Sequence, residues 1–379
     1  MKSSSDILII GGGVIGLTTA WNLAREGVSV TVVDKTKTGR EASWAGAGML
    51  PPGILANATT PEARLRAYSH QLWDGISEDL FSRTGIDNGY RRCGSVELAE
   101  PNRPEEFEQQ VNAWGREGIT VESLDRTALE THVPDLHPDI CNGVFLPQFG
   151  QVRNPRHLKS LTAACQSLGV EIIENCQQLQ LTKCSQGRVS ASSGDHEFSF
   201  DRICLAAGAW TSQLLDKLGF QIPVKPIRGQ MAQLQVSPMM FTRVIEQGRR
   251  YIVPRADGLL LVGSTMEVAG FEKKTTADGM SSLLKFAKSI VPELGQCEVV
   301  RCWAGLRPGS PDELPFLGRV PNFENLFIGA GHFRCGLQMS PGTGAVLNDL
   351  LMDREPVIDL AGLNVDRQPQ SWVESLQVT

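Results

Sequence analysis

Hydrophobic and polar positions fall in a strand–turn–helix–strand order between Asp6 and Asp34. Ile7 to Ile10 is a continuous apolar, β-branched run and predicts a buried strand. It runs into Gly11-Gly12-Gly13-Val14-Ile15-Gly16. Beyond that, Ile15, Leu17, Ala20, Leu23 and Ala24 recur at helical spacing until Gly27 offers a stop. Val28 to Val33 predicts a second strand, with Asp34 at its end.

The same periodicities predict the elements downstream. Glu62 to Phe81 reads as a helix burying Leu65, Tyr68, Leu72, Trp73, Ile76 and Leu80 on one face. Gly94 to Leu98 reads as a strand, Arg103 to Glu117 as a polar helix and Asp125 to Val133 as a short one. Cys141 to Phe149 is strand-like, His157 to Leu168 helical, and Val170 to Ile173 extended. The hydrophobic run Ile203 to Trp210 reads as a second strand that ends in glycine, at Gly208, next to a helix from Ser212 to Leu218. The character then changes. Val224 to Gln235, Tyr251 to Pro254 and Leu259 to Gly263 read as strands of a mainly antiparallel sheet, joined by turns such as Ala256-Asp257-Gly258. Met280 to Val291 is helical, and Val299 to Leu306 is a strand ending in Arg307-Pro308-Gly309. Finally, Leu326 to Gly331 runs through His332–Gly336 toward a helix from Gly342 to Asp353.

Three strand-to-glycine-to-helix junctions, at residues 11, 208 and 329, lie far apart in the chain. They predict an interleaved α/β architecture. Residues 1–90, 147–222 and 305–379 form a Rossmann-like nucleotide-binding domain, and residues 91–146 and 223–304 form a second α+β domain on a mainly antiparallel sheet.

The glycine loop has a specific chemistry. Gly11 permits the tight turn, Gly13 lets a pyrophosphate approach the backbone, and Gly16 lets helix and strand pack closely. Val14 and Ile15 open the helix whose N-terminal N–H groups face the anion. Asp34 stands where a carboxylate accepts from ribose hydroxyls. The small-residue run from Gly39 to Leu50 fits either a tightly packed turn with a short helix or a backbone surface against a flat cofactor.

Bulk properties narrow the function. A net charge of −6 without a basic run argues against a nucleic-acid surface. There is no run of about 18 apolar residues and no signal-type segment before the first strand, so the expected location is the cytoplasm, with no transmembrane segment. The nine cysteines are odd in number and lack C-x-x-C spacing, which suits reduced thiols better than disulfides or a zinc site. Cys204 and Cys302 read as core residues, and the six histidines suggest no metal cluster.

The motifs GGGVIG, SWAGAGM, LAAGAW, RYIVPR, VGSTM, WAGLRPGSPDELPFLG and GAGHFRCG occur in an order that resembles the D-amino-acid oxidase superfamily of FAD-dependent oxidoreductases. Within it, the resemblance is nearest to the glycine oxidases of the thiamine-pathway type and extends from Asp6 to about Leu351. It implies non-covalent FAD and oxidation of glycine, sarcosine or small D-amino acids to the imino acid. Hydrolysis then gives the oxo acid and ammonia, and O2 is reduced to hydrogen peroxide. Carried over to this chain, Gly11, Gly13, Gly16 and Asp34 match the ADP-binding positions, and Ser43, Ala47, Gly48 and Met49 the segment beside the flavin ring. Gly208 matches the middle junction, and His332, Phe333, Arg334, Cys335 and Gly336 the loop that wraps the flavin. Arg307 matches the arginine gripping the substrate carboxylate, Tyr251 an assisting hydroxyl, Arg334 a polar pocket position and Met266 a pocket wall. A planar guanidinium suits a carboxylate because it can donate two parallel hydrogen bonds.

Each residue also has a plainer reading. An arginine beside a strand often caps carbonyls, Tyr251 could be a half-buried strand residue, Arg334 a loop brace and His332 a satisfied core histidine. The chain departs from the family pattern at Arg249, where histidine can occur. Arg249 and Arg250 suit either a second carboxylate or solvent. Gly305 occupies the region where related sarcosine oxidases carry a flavin-bonding cysteine, which favours non-covalent attachment. Two alternatives stay open: a D-amino-acid dehydrogenase passing electrons to a quinone or carrier, and a catalytically inert flavin-binding protein. The family also implies thiamine (thiazole) biosynthesis as the pathway and a homo-oligomer as the assembly.

Overall fold

The computed structural model describes residues 2–194, 196–369 and 372. Residues 370–371 and 373–379, part of the expected 305–379 segment, lie outside the described residues. A six-stranded sheet runs in the order Glu171–Ile173, Val30–Val33, Ile7–Ile10, Arg202–Leu205, Leu326–Ala330 and Phe316–Arg319. Its first five strands are parallel and the last is antiparallel. The continuous apolar run of Ile7–Ile10 has its cause here, because both faces of the sheet are covered. On one face Ile7 and Ile9 join Leu17, Leu23, Leu158, Leu161 and Leu347 from the helices Val14–Arg25, Asn154–Ser167 and Ser340–Leu351. On the other, Leu8 and Ile10 meet Val189, Ala191 and Leu215. Leu17, Leu23 and Leu161 are fully buried, which is worth about 1.5–3 kcal/mol for each leucine.

That second face is covered partly by a four-stranded sheet of Lys2–Ser4, His196–Ser199, Val189–Ser193 and Leu179–Lys183. The sequence pattern does not announce it. Leu179–Lys183 and Val189–Ser193 each expose alternate polar side chains, and neither has the apolar run that marks a buried strand.

The other large sheet has eight strands, ordered Glu298–Gly309, Lys225–Gln235, Leu259–Gly263, Arg250–Pro254, Val244–Gln247, Ser95–Leu98, Gly143–Leu146 and Glu122–Leu124. All its pairs are antiparallel except Val244–Gln247 with Ser95–Leu98. The helix Ala277–Ile290 lays Leu283, Phe286 and Ile290 against Ala232, Leu260 and Val262 of this sheet.

Several local expectations change. The strand from Glu298 continues through Arg307 to Gly309, because its pairing with the long Lys225–Gln235 strand persists to Lys225 opposite Gly309. Arg307 therefore lies inside a strand, and the strand carries residues on both sides of position 305. Cys302 is exposed rather than in the core, since Glu298–Cys302 forms the solvent-facing part of an edge strand; Cys204 is fully buried. The run at Ile203 stops pairing after Leu205, and Gly208–Trp210 turns as a short 3₁₀ segment. The small-residue run folds as a short helix, Ala42–Ala45, and a two-residue strand, Met49–Leu50, paired with Gly150–Gln151. No helix among the described residues is long and apolar enough to cross a membrane. Among the same residues, no cluster of histidine, cysteine and carboxylate side chains is arranged to hold a metal ion.

Candidate active site

A cavity of about 600 Å³ joins the carboxyl ends of the parallel sheet to the inner face of the eight-stranded sheet. At its first end lies the glycine loop. Gly11 has φ +111°, and a Cβ there would collide with the carbonyl of Ala206, so only glycine closes this turn. A Cβ on Gly16 would collide with the carbonyl of Gly11. Gly16 therefore sets the helix close to the strand without lining the cavity. Gly13 caps the helix without a side-chain hydrogen bond, and the Val14 N–H donates to Ser43 Oγ at 2.9 Å. Asp34 accepts from the Gly12 N–H at 2.9 Å through Oδ2 and from the Thr36 N–H at 2.8 Å through Oδ1. One carboxylate thus fixes the loop to the strand end while still lining the cavity.

Gly208 has φ +54°, and a Cβ there would meet nothing within 4 Å, so its bare side opens onto the cavity. Nearby, Lys35 Nζ stands 3.0 Å above the centre of the Trp210 ring. Partial burial lowers the Lys35 pKa, opposed by the carboxylates of Glu41 and Asp34.

The middle wall is Ser43, Ala47, Gly48 and Met49. Gly48 has φ +71° and touches the Val152 backbone so closely that a Cβ would collide with its carbonyl. This segment is held from behind. Asn154 Nδ2 donates to the Ser43 carbonyl at 2.7 Å, and the buried Arg255 donates to Ala47 O at 2.6 Å, Gln151 Oε1 at 2.7 Å and Val152 O at 3.0 Å. Burial, reinforced by Arg153 and Arg91, lowers the Arg255 pKa to about 10. Arg255 belongs to the RYIVPR motif, yet its role depends on partners about a hundred or more residues away and has no local signal.

The opposite wall is the loop His332–Gly336. The Phe333 N–H donates to Pro308 O at 2.9 Å, while Phe333 itself takes φ +46°. His332 is buried, with Nε2 3.0 Å from Thr343 Oγ1, and burial pushes its pKa down to about 3, leaving a neutral ring. Burial likewise raises the Cys335 thiol to about 12.

At the far end Arg307 and Tyr251 meet. Arg307 Nη2 donates to Ser264 Oγ at 2.6 Å and Nη1 to the Thr265 carbonyl at 3.2 Å. Tyr251 hydrogen-bonds the same guanidinium, and its hydroxyl also contacts Met231 Sδ at 3.4 Å. Burial lowers the Arg307 pKa, and Tyr251 opposes that shift. Arg334 reaches the cavity and donates to the Arg249 carbonyl at 2.9 Å. Met266 is not among the lining residues. It lies half-buried just after the Leu259–Gly263 strand, where its sulfur accepts from Arg249 Nη1 at 3.5 Å. Arg249 and Arg250 are also outside the lining, bound to Glu313 and to Ser282. Glu246, which carries no motif, does line the cavity.

A helix N-terminus behind a glycine turn, an acidic side chain at the next strand end and an extended cavity beyond them define a dinucleotide-binding site. The chain belongs to the family described as FAD dependent oxidoreductase, which matches residues 6–350. It is 38% identical over 361 residues to glycine oxidase from Pseudomonas putida, covering 94% of this chain and 97% of that protein. It is 35% identical over 363 residues to a bifunctional protein ThiO/ThiG from Synechocystis, covering 94% of this chain and 53% of that one. The crystal structure of glycine oxidase from Geobacillus kaustophilus superimposes with a TM-score of 0.91 at 30% identity, covering 97% of this chain and 99% of that one. The cofactor is therefore FAD. The site fits it: the helix start behind Gly13, which has no capping side chain of its own, the open face of Gly208 and the continuous cavity from Asp34 to Arg307 accommodate a long, anionic, flat-ended molecule.

Proposed function

We propose that this protein oxidises the amine of glycine, sarcosine or a small D-amino acid to the imine, which water converts to the oxo acid and ammonia. One observation carries the reading. Arg307 reaches the cavity and, among the described residues, bonds only to neutral oxygens and to no carboxylate, so its charge is available to a ligand. Its fork suits a substrate carboxylate, and Tyr251 steadies both the guanidinium and the bound anion. Anchoring the carboxylate fixes where the Cα–H bond points, and this alignment supplies much of the rate.

Gly11, Gly13, Val14, Ile15, Asp34, Ser43, Ala47, Gly48, Met49, Gly208 and the loop His332–Gly336 would hold FAD without a covalent bond, with Gly16 shaping the turn behind them. When bound, FAD supplies the acceptor for two electrons, with O2 as final oxidant. In this reading residues 1–90, 147–222 and 305–379 carry the cofactor, the last of them also supplying Arg307 to the substrate, and 91–146 and 223–304 supply the rest of the substrate wall. The name of the Synechocystis relative supports a place in thiamine synthesis. The nine cysteines, all unpaired, support a reducing compartment such as the cytoplasm.

The test is anaerobic bleaching of the bound flavin by glycine, sarcosine, D-alanine, D-proline and larger D-amino acids, followed by air. Rapid bleaching by the small substrates, with peroxide formed on reoxidation, is expected. Reduced flavin that persists in air would indicate a dehydrogenase with another acceptor. A yellow protein inert to every amine would sink the reading.

A further inference from the structure

The cavity wall beside Tyr251 carries a carboxyl pair that the reaction as described leaves without a task. In the strand Val244–Gln247, Glu246 stands directly opposite Tyr251 on one side and directly opposite Glu97 on the other. Glu246 and Tyr251 are opposed in an antiparallel pair, which sets their Cβ atoms about 4.5–5.5 Å apart on one face of the sheet, and Glu97 is in parallel register with Glu246 on that same face. Tyr251, Glu246 and Glu97 therefore form a row across three strands, and its first two members line the cavity. Glu97 and Glu246 are hydrogen-bonded to each other, and Ser95 Oγ donates to Glu97 Oε1 at 2.7 Å. Two adjacent carboxylates out of bulk water cannot both keep their charge, so the pair holds a proton between them. Burial raises Glu97 to about 7. It also raises Glu246 well above the ordinary carboxylate range, helped by Glu97 and opposed by Arg334. Glu97, Tyr251 and Arg334 are the titratable or charged groups facing Glu246 from the neighbouring strands and the loop.

We propose that Glu246 binds the amino group of the substrate and takes the proton from its ammonium form. The inference rests on the amine-oxidation reading of the same cavity. Amino acids enter largely as ammonium ions at neutral pH, whereas oxidation needs the nitrogen lone pair. In the step assigned here one N–H bond breaks, its electron pair stays on nitrogen, an O–H bond forms on Glu246, and the proton that Glu246 already shares with Glu97 passes to the Glu97 carboxylate. Nothing is oxidised or reduced. With the carboxylate on Arg307 and the nitrogen toward Glu246, the substrate is held at both ends, and Tyr251 lies between the two anchors in the sheet. Glu97 acts through Glu246 and is a positioning residue: its carboxyl tunes how readily Glu246 accepts a proton.

The experiment is the pH dependence of anaerobic flavin reduction by glycine in the FAD-loaded wild type, Glu246→Gln and Glu97→Gln. For Glu246→Gln the second-order reduction rate at pH 7 falls about a hundredfold. It then climbs about tenfold per pH unit toward the amine pKa, because only the free amine reacts. Binding of acetate, which offers a carboxylate and no amine, is unchanged. For Glu97→Gln the acid limb moves to lower pH, since the carboxyl raising Glu246 is gone. A Glu246→Gln profile superimposable on that of the wild type would overturn the proposal. So would an unmoved acid limb in Glu97→Gln, which decides the matter if Glu246→Gln does not retain its flavin. If the wild type itself is not reduced by any amine at any pH, the functional reading fails first, and visibly so, before either variant is compared.

Discussion

The guanidinium of Arg307 lies over Gly229, where a Cβ would collide with both of its terminal nitrogens. The two residues belong to neighbouring antiparallel strands, Glu298–Gly309 and Lys225–Gln235. Gly229 is therefore the floor on which the arginine rests. Because the colliding atoms are the tip of a flexible side chain, Gly229→Ala should displace the guanidinium rather than break the sheet. We expect KM for glycine to rise about 10- to 100-fold, the worth of a displaced charge-assisted contact. Melting temperature and flavin content should stay close to wild type. Arg307→Ala should raise KM at least as much, and Arg307→Lys should not restore it, because lysine cannot make the two-pronged contact. Steady-state kinetics with glycine decide; an unchanged KM in Arg307→Ala would remove that residue from the carboxylate role.

At the other end of the cavity Gly13 has little spare room. A Cβ there would already stand 3.2 Å from Ser43 Oγ, which holds the Val14 N–H. Gly13→Val should fill the space at the helix start that a pyrophosphate needs, and the purified protein should be colourless. Absorbance of the purified variant checks this. A fully yellow Gly13→Val would show that the phosphates bind elsewhere.

Much of this site is legible in the sequence because it is made of backbone. Gly11 and Gly48 sit where a Cβ collides with a neighbouring carbonyl, and such demands leave glycines at fixed places after apolar runs. Side-chain relationships leave less trace. Glu246 meets Glu97 across 149 positions in a four-residue strand too short to show a period, and the turn at Gly248 follows at once. The continuation of the Arg307 strand to Gly309 is set by its partner at Lys225, and the exposure of Cys302 by lying on an edge; neither is a property of the local residues.

Arg255 should behave as a structural strut of the flavin wall. Its three hydrogen bonds tie Ala47 to Gln151 and Val152, so truncation leaves buried acceptors without a donor. Arg255→Ala should cost about 2–4 kcal/mol of stability, a sum of lost charged hydrogen bonds and unsatisfied oxygens, and should weaken flavin retention. Thermal unfolding with and without added FAD checks this. A normal melting temperature together with full flavin content would contradict the strut.

Acid should weaken the fold through two histidines that are buried as neutral rings. Burial lowers the pKa of His157 to about 4, and burial with Arg367 nearby lowers that of His332 to about 3, against an ordinary value of 6.5. The sign follows from proton counting. Below pH 6.5 the unfolded chain protonates these rings and the folded chain does not, so the unfolded state binds more protons and gains as pH falls. The loss should be confined to the window between pH 6.5 and about 4 for His157, reaching at most about 1.4 kcal/mol per pH unit for each ring. His157 faces Asn88 Nδ2 through Nδ1 at 3.3 Å, a contact that a neutral amide can partly replace. His157→Gln should therefore lower stability at pH 7 yet flatten its decline toward pH 5 by about one proton. Urea unfolding at closely spaced pH values measures the slope directly. Parallel curves for wild type and variant would mean that the ring is already protonated in the folded state, with an acceptor that its buried surroundings do not reveal.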